Sequence, residues 1–398
     1  MKVLVVNIGS TSFKYRLYDM PSETLLARGG VERIGEEASR SYVLLDGKTI
    51  ERIAPVPDHG SALAACIEQL TDPTSGCLSN AEEISAIGFK AVHAGDVSGA
   101  PIVDDHVLDA MDKYSIVAPA HNPPYIRAMR QLRERFSSIP LVAAFETGFH
   151  QTAPEANRTY AIPYEWTEKL GIRRYGFHGA SHRFIAQRLA EITGRQDLRV
   201  VSCHLGGSSS LCAISAGKSL GATMGMSPQS GLPNNNRAGD FDPFALPLIA
   251  RETGLDLTGI LDRLASDGGL KGVSGVGADL RDVETAADAG NKRAQLAIDL
   301  FVASIRDYLG SFIIRLGGID AIVFTGGIGE NSSRIRLAVC QGLDELGILL
   351  DGGKNANPKG EVVISADESR VAIWVMPTNE EIVVARQTVE ALESRTSS

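Results

Sequence analysis

A turn that occurs twice constrains this chain more than any other feature. Near the start, Gly9-Ser10-Thr11-Ser12 separates an apolar run from an alternating one; 198 positions further on, Gly207-Ser208-Ser209-Ser210 does the same. A glycine followed by three hydroxyl residues between strand-like stretches predicts a hairpin turn. Its backbone amides and hydroxyls suit an anion, and the glycine permits close approach. One such turn would be an ordinary hairpin. Its repetition, opening each half of the chain, predicts two related lobes that close on a phosphate chain.

The length of 398 residues accommodates two such lobes, and 43% hydrophobic with 22% charged residues supports large cores. A net charge of -9 argues against non-specific binding to nucleic acid or a membrane surface, both of which need basic patches. It leaves room for an anionic substrate held by a few local donors. The cysteines at 66, 77, 203, 212 and 340 form no CxxC pair and read as reduced thiols packed like small apolar residues. No apolar run approaches membrane-spanning length, and the opening run is too short for a signal peptide. The expectation is a cytoplasmic protein with neither nucleic-acid nor membrane partners.

Apolar periodicity predicts strands at 13–19, 25–34, 84–93, 141–145, 199–204, 211–214, 321–325 and 371–376. It predicts helices at 61–70, 126–136, 292–316 and 380–394. Strands interleaved with crossover helices place the chain in the α/β class. The glycine-rich stretch 221–240 is too long for a simple connection and is a candidate functional loop. Glu146 ends the strand 141–145, where its carboxylate is expected to be exposed. Thr378-Asn379-Glu380-Glu381 predicts a capping box completed by Glu381.

Some apparent signatures fail. Gly217-Lys218-Ser219 lacks the glycine of a P-loop five positions earlier, where Cys212 stands, and it falls at a hairpin turn. Gly327-Ile328-Gly329-Glu330-Asn331 is one residue short of a dinucleotide fingerprint, but a glycine turn after a buried strand still suits a nucleotide. His178 and His182 have the i, i+4 spacing of a zinc pair without a third ligand, so zinc is not expected. Lys90 within an apolar strand, His121 between prolines, Glu146 at a strand end and Arg237 on the glycine-rich loop each have a bland surface reading. Together with two anion-holding turns they supply what phosphoryl transfer needs: cationic donors, a carboxylate and oxygen ligands for Mg²⁺.

These segments resemble the acetate kinase family (acetate and propionate kinases), in order and over essentially the whole length. The matching pieces are VNIGSTSFKY, VHAG, PAHNP, FETGFH, YGFHGASH, HLGGSSS, MGMSPQSGL, NRAGDFDP, GVSG with DLRD, FTGGIGENS and PTNEE. The resemblance implies two duplicated ribonuclease H-like, actin-like ATPase lobes with mixed sheets flanked by helices and a cleft between them. It divides the chain into 1–147 plus 382–398 and 148–381. It implies reversible transfer of the ATP γ-phosphoryl to acetate or a similar short-chain carboxylate, giving an acyl phosphate and ADP. The cofactor implied is Mg²⁺, with Mn²⁺ as a substitute, and the assembly a homodimer.

Carried over position by position, Asn7 and Glu380 look like the Mg²⁺-associated pair, and Lys14 like the lysine that reaches the nucleotide phosphates. His204, Leu205, Gly206, Gly207 and Ser208 match the second phosphate loop; Asp279, Leu280 and Arg281 the adenosine side; Gly327, Ile328, Gly329, Glu330 and Asn331 the nucleotide turn. Glu146, His178 and Arg237 match the catalytic groups. Lys90, Val92, Ala120, His121, Phe177 and Pro228 match the substrate site.

Three departures stand out. Lys90 replaces the family's usual arginine, Glu146 its usual aspartate, and Ala120 its usual leucine in the acyl pocket. The first two compensate if the side chains face each other. The third widens the pocket by an amount worth about 0.8 kcal/mol per methylene, too little for strict selection. Tolerance of propionate is therefore expected. HLGGSSS also lacks the family's asparagine beside the phosphates, which bears on the choice of phosphoryl donor. The alternatives are a propionate or butyrate kinase, a nucleotide-driven switch, and a catalytically silent nucleotide-binding relative.

Overall fold

The computed structural model describes residues 1–9, 11–119 and 121–396. The chain divides into two units, Met1–Gly148 with Asn379–Ser398, and Phe149–Thr378.

The first unit holds a seven-stranded sheet of β1 (Lys2–Ile8), β2 (Ser12–Asp19), β3 (Thr24–Glu32), β4 (Ser39–Leu45), β5 (Lys48–Ala54), β6 (Ile84–Ala91) and β7 (Leu141–Phe145), in the order 5-4-3-2-1-6-7. Strands β1 to β5 pair antiparallel, while β6 runs parallel to β1 and β7 parallel to β6. Alternate residues Leu4, Val6, Phe13, Tyr15, Leu17, Ile87 and Phe89 enter one apolar core. The opposite face carries the C-terminal helix Glu380–Thr396, which contacts β1, β6 and β7. Gly88 permits that approach: a Cβ there would lie 2.4 Å from Thr388 Oγ1.

The second unit holds β8 (Arg199–His204), β9 (Ser210–Ser215), β10 (Lys218–Ala222), β11 (Ala321–Thr325), β12 (Val362–Val363) and β13 (Ala372–Val375), in the order 10-9-8-11-13-12. Within it, β10-β9-β8-β11-β13 repeats the arrangement β3-β2-β1-β6-β7. In each, three strands pair antiparallel and two further strands run parallel to the central one. The duplication inferred from the repeated turn is therefore a duplication of sheet topology. Both faces of the second sheet are covered, so its strands read as continuous apolar runs. Val201, Cys203, Ile322 and Phe324 face the core under the helix Lys292–Arg315. Val200, Ala321 and Val323 face the helix Gly179–Thr193.

Two sequence expectations change. Glu146 is only 5% exposed: directly after β7 its amide donates to the Ala91 carbonyl at the end of β6, at 2.9 Å. The final helix is capped by Asn379, whose Oδ1 accepts from Ile382 N at 3.2 Å. Glu381, expected to complete a capping box, instead pairs with Arg16 at 3.4 Å. These contacts tie residues 379–381 to the first unit, whereas the sequence reading had grouped them with the second.

Candidate active site

At the C-terminal end of the parallel strands in the first unit, the sheet gathers one cluster. Asn7 and Lys90 each lie one residue beyond the paired Val6 and Phe89, so both side chains leave the apolar face. Lys90 Nζ is 3.6 Å from Glu146 Oε1 and in close contact with Glu380 Oε2. Burial works against the Lys90 charge, but Glu380 and Glu146 outweigh it and raise the pKa. The lysine stays protonated between two carboxylates. Glu146 thus faces Lys90, as compensation between the two departures requires.

Tyr125 joins this cluster from the helix Asn122–Arg135. Its hydroxyl accepts from Ile8 N at 3.1 Å and donates to Asn7 Oδ1 at 3.0 Å. Burial pushes its pKa up to about 12, so it remains a donor. Lys14 lies opposite Asn7 in the hairpin and lines a groove of about 570 Å³ with Arg16, Arg28, Arg40 and Glu381.

The oxygens of Asn7, Glu380 and Glu146 form a hard donor set. Among the described residues there is no group of three His, Cys, Asp or Glu placed to hold a metal by itself. Hard oxygen donors of this kind suit a divalent metal that completes its shell with phosphate and water. Asn7 retains a lone pair beyond the one Tyr125 uses.

The second unit gathers another cluster around the second turn. Gly206 N donates to Ser209 Oγ at 3.1 Å, and Ser209 N donates to Asn234 Oδ1 at 2.5 Å. Leu205 O accepts from Ile328 N at 2.8 Å and Gly329 N at 3.0 Å. The loop 204–208 and the segment 327–331 are therefore locked together. That segment is a short helix, Gly326–Asn331, where a simple glycine turn was expected. Gly326 has φ 78°, and a Cβ there would meet Leu205 O at 2.7 Å.

Arg237 reaches this loop from the glycine-rich stretch, donating to Ser208 Oγ at 3.1 Å and Pro228 O at 3.2 Å. Burial lowers its pKa, although a guanidinium keeps its charge. His178 has φ 56°, a left-handed conformation at the N-cap of the helix Gly179–Thr193. Such strain in a non-glycine residue persists where its surroundings enforce it. Its Nδ1 bonds Ser210 Oγ at 2.8 Å, and its ring stacks on His204 with centroids 4.3 Å apart. His204 Nδ1 in turn bonds Ser181 Oγ at 2.8 Å.

Other predicted residues have plainer surroundings. Asp279 caps the helix Leu280–Asp288 and pairs with Arg281, and Leu280 is buried in the core. Val92 and His121 are half-buried in the first unit; Phe177 and Pro228 are buried in the second. Ala120 lies outside the described residues.

Residues 2–386 match the Acetokinase family. This chain belongs to that family. It is 43% identical over 399 residues to the acetate kinase of Carboxydothermus hydrogenoformans, covering 99% of this chain and 100% of the relative. It is 41% identical over 391 residues to the acetate kinase of a Geobacillus species, covering 98% of each. The crystal structure of Porphyromonas gingivalis acetate kinase superposes with a TM-score of 0.89 at 38% identity, covering 98% of this chain and 99% of the other. A propionate kinase from Francisella tularensis gives a TM-score of 0.89 at 33% identity, covering 97% and 98%.

Within this acetokinase, sequence reasoning passed over residues that brace the site. His150 Nε2 donates to the Phe177 carbonyl at 2.9 Å, and its Nδ1 bonds Ser219 Oγ at 2.9 Å. Burial lowers its pKa to about 4, so the ring is neutral. It belongs to the quoted FETGFH segment, where the carboxylate drew the attention. Fully buried Arg336 donates to the carbonyls of Gly329 at 2.8 Å and Glu330 at 2.9 Å, holding the helix Gly326–Asn331 from behind. Nothing local in the sequence marks Tyr125 or Arg336.

Proposed function

We propose that this acetokinase transfers the γ-phosphoryl of ATP to the carboxylate of acetate, reversibly, giving acetyl phosphate and ADP. The observation that carries the reading is the assembly of Arg237, His178, His204 and the loop 204–208 within one unit. A guanidinium, imidazoles, hydroxyls and backbone amides together suit the equatorial oxygens of a transferring phosphoryl group. The full-length likeness to relatives named acetate kinase supports the choice of acceptor.

In this reading a carboxylate oxygen of acetate forms a bond to the γ-phosphorus as the bond to the ADP oxygen breaks. The acceptor is already ionised at neutral pH, so no general base is needed in this direction. Arg237 and His178 bridge phosphoryl oxygens as charge redistributes, and Lys14 and the glycine turns hold the remaining phosphates. Asn7 and Glu380 would hold Mg²⁺, which when bound would supply charge neutralisation to the phosphates. Lys90 holds Glu380 and Glu146 in place and offsets their charge, and Glu146 would serve to position the metal and its waters, not to act as a base. The family resemblance assigns Asp279 to Arg281 and Gly327 to Asn331 to the adenosine side, and Val92, Ala120, His121, Phe177 and Pro228 to the acyl group.

The likeness to a propionate kinase favours a second acceptor, propionate, alongside acetate. Hydroxylamine trapping of acyl phosphate from ATP, Mg²⁺ and formate, acetate, propionate or butyrate tests both. Product with acetate, and a shallow fall in kcat/KM to propionate, is expected. A steep preference for acetate overturns the wider pocket, and no product with any acid overturns the activity.

We further place the enzyme in the cytoplasm and read it as a homodimer. All five cysteines are unpaired thiols, in keeping with a reducing compartment. None of the described helices is long and apolar enough to cross a membrane. Self-association is supported by Phe244, Leu248, Leu257 and Leu261, which are 88%, 54%, 58% and 49% exposed on consecutive segments of the second unit.

A further inference from the structure

Four of the chain's eight histidines lie in one layer of the second unit, and two of them share a serine. Ser210 Oγ is 2.8 Å from His178 Nδ1 and 2.9 Å from His182 Nε2. His182 Nδ1 is in turn 2.9 Å from Ser202 Oγ. Ser202, Ser210 and the His182 ring are all fully buried.

Counting hydrogens along this row gives it a direction. Ser202 lies within β8, and among the described residues its hydroxyl has one hydrogen-bond partner, His182 Nδ1. A buried hydroxyl hydrogen needs an acceptor, so Ser202 donates to Nδ1. His182 is held neutral by burial, with its pKa well below the usual imidazole value. A neutral imidazole accepting at Nδ1 carries its hydrogen on Nε2 and donates it to Ser210 Oγ. Ser210 has one hydrogen left to give, and it goes to His178 Nδ1. The reverse direction would leave the Ser202 hydrogen buried with no acceptor among the described residues.

We infer that Ser202, His182 and Ser210 form a one-way hydrogen-bond chain that holds neutral His178 as the tautomer bearing its hydrogen on Nε2. His178 then offers an N–H donor without first having to take up a proton. Ser202, His182 and Ser210 are positioning residues: they act through His178 and touch no reacting atom. The catalytic meaning rests on the proposed contact between His178 and the phosphoryl group, whereas the tautomer itself does not.

Nitrogen NMR of the full-length wild-type protein, labelled in its histidine rings, reads the tautomers directly. At neutral pH, His178 and His182 are each expected to show an unprotonated Nδ1 and a protonated Nε2. A protonated Nδ1 on either ring overturns the chain. Kinetics then test its use. Ser210→Ala is expected to lower kcat by about 10–100-fold, the usual cost of losing an outer partner of a functional histidine, with both KM values within about twofold. Ser210→Thr, which keeps the hydroxyl, is expected to restore most of the loss. An unchanged kcat in Ser210→Ala overturns the positioning role. Should the wild type form no acyl phosphate, the proposed activity fails while the NMR result stands on its own. Ser202→Ala, two bonds further back, is expected to give mixed His178 tautomers; a single unchanged tautomer there overturns the assigned direction.

Discussion

Lys90 and Glu146 illustrate how a departure from a family pattern is judged by geometry. Each substitution alone changes reach and hydrogen-bonding shape, since an ammonium is a point charge and a guanidinium a planar fork. Here they face each other at 3.6 Å, so a shorter reach on one side meets a longer reach on the other. Lys90→Arg and Glu146→Asp are each expected to lower kcat, and the double variant to recover part of the loss in a double-mutant cycle. Simple additivity would show that the two residues are uncoupled. Lys90→Met leaves Glu146 and Glu380 facing each other without a cation. A fully buried pair broken this way costs about 3–5 kcal/mol; Lys90 keeps some solvent contact, so about 2 kcal/mol is expected in denaturant titration.

The same scale contains a pH dependence. The folded-state pKa of His150 is lowered by burial from 6.5 to about 4. Between those values the unfolded chain binds more protons, so stability is complete above pH 6.5 and falls as pH drops towards 4. The loss amounts to about 3 kcal/mol from this residue at the acid end. Calorimetry between pH 7.5 and 5 is expected to show a falling Tm whose slope is shallower in His150→Gln. An equal slope would mean that His150 is not the group responsible.

At the scale of elements, the second hairpin and the glycine helix behave as one unit because Leu205 O, at the start of the turn, accepts from Ile328 N and Gly329 N. Gly326→Ala adds a Cβ against that carbonyl and strains a backbone at φ 78°. A cost of about 1–3 kcal/mol is expected, with KM for ATP raised more than KM for acetate. An equal rise in both would detach this segment from the nucleotide. The C-terminal helix carries a smaller, separate test. Asn379→Ala removes its cap and is expected to cost about 1 kcal/mol. Glu381→Ala, which removes an ion pair that keeps solvent contact, should cost less.

For the whole molecule, duplication is the organising fact. A five-stranded core of identical order occurs twice, and each copy presents a glycine hairpin beside polar groups at the strand ends. The exposed apolar stretch from Phe244 to Leu261 belongs to the second copy and has no counterpart in the shared sheet order. Phe244→Asp with Leu248→Asp is expected to shift the sedimenting species from dimer to monomer. A wild type that sediments as a monomer would remove the basis for that prediction.

The repeated Gly-hydroxyl turn, apolar runs such as 141–145 and 321–325, and the long helix were legible in the sequence because they rest on local periodicity and turn chemistry. So was the list of candidate site residues, because segments such as YGFHGASH and FTGGIGENS carry a family pattern. Tertiary structure alone decided which polar groups meet and in what state. Glu146 proved buried, since its exposure depends on what the neighbouring strand and the C-terminal helix bring to β7. Asn379 rather than Thr378 caps that helix, because Arg16 draws Glu381 away. Tyr125, Arg336 and the Ser202–His182–Ser210 row gave no local signal: their partners lie 118, 19 and 20 to 32 positions away in the chain. Periodicity reaches across a turn or two, whereas hydrogen-bond partners across a sheet are set by topology.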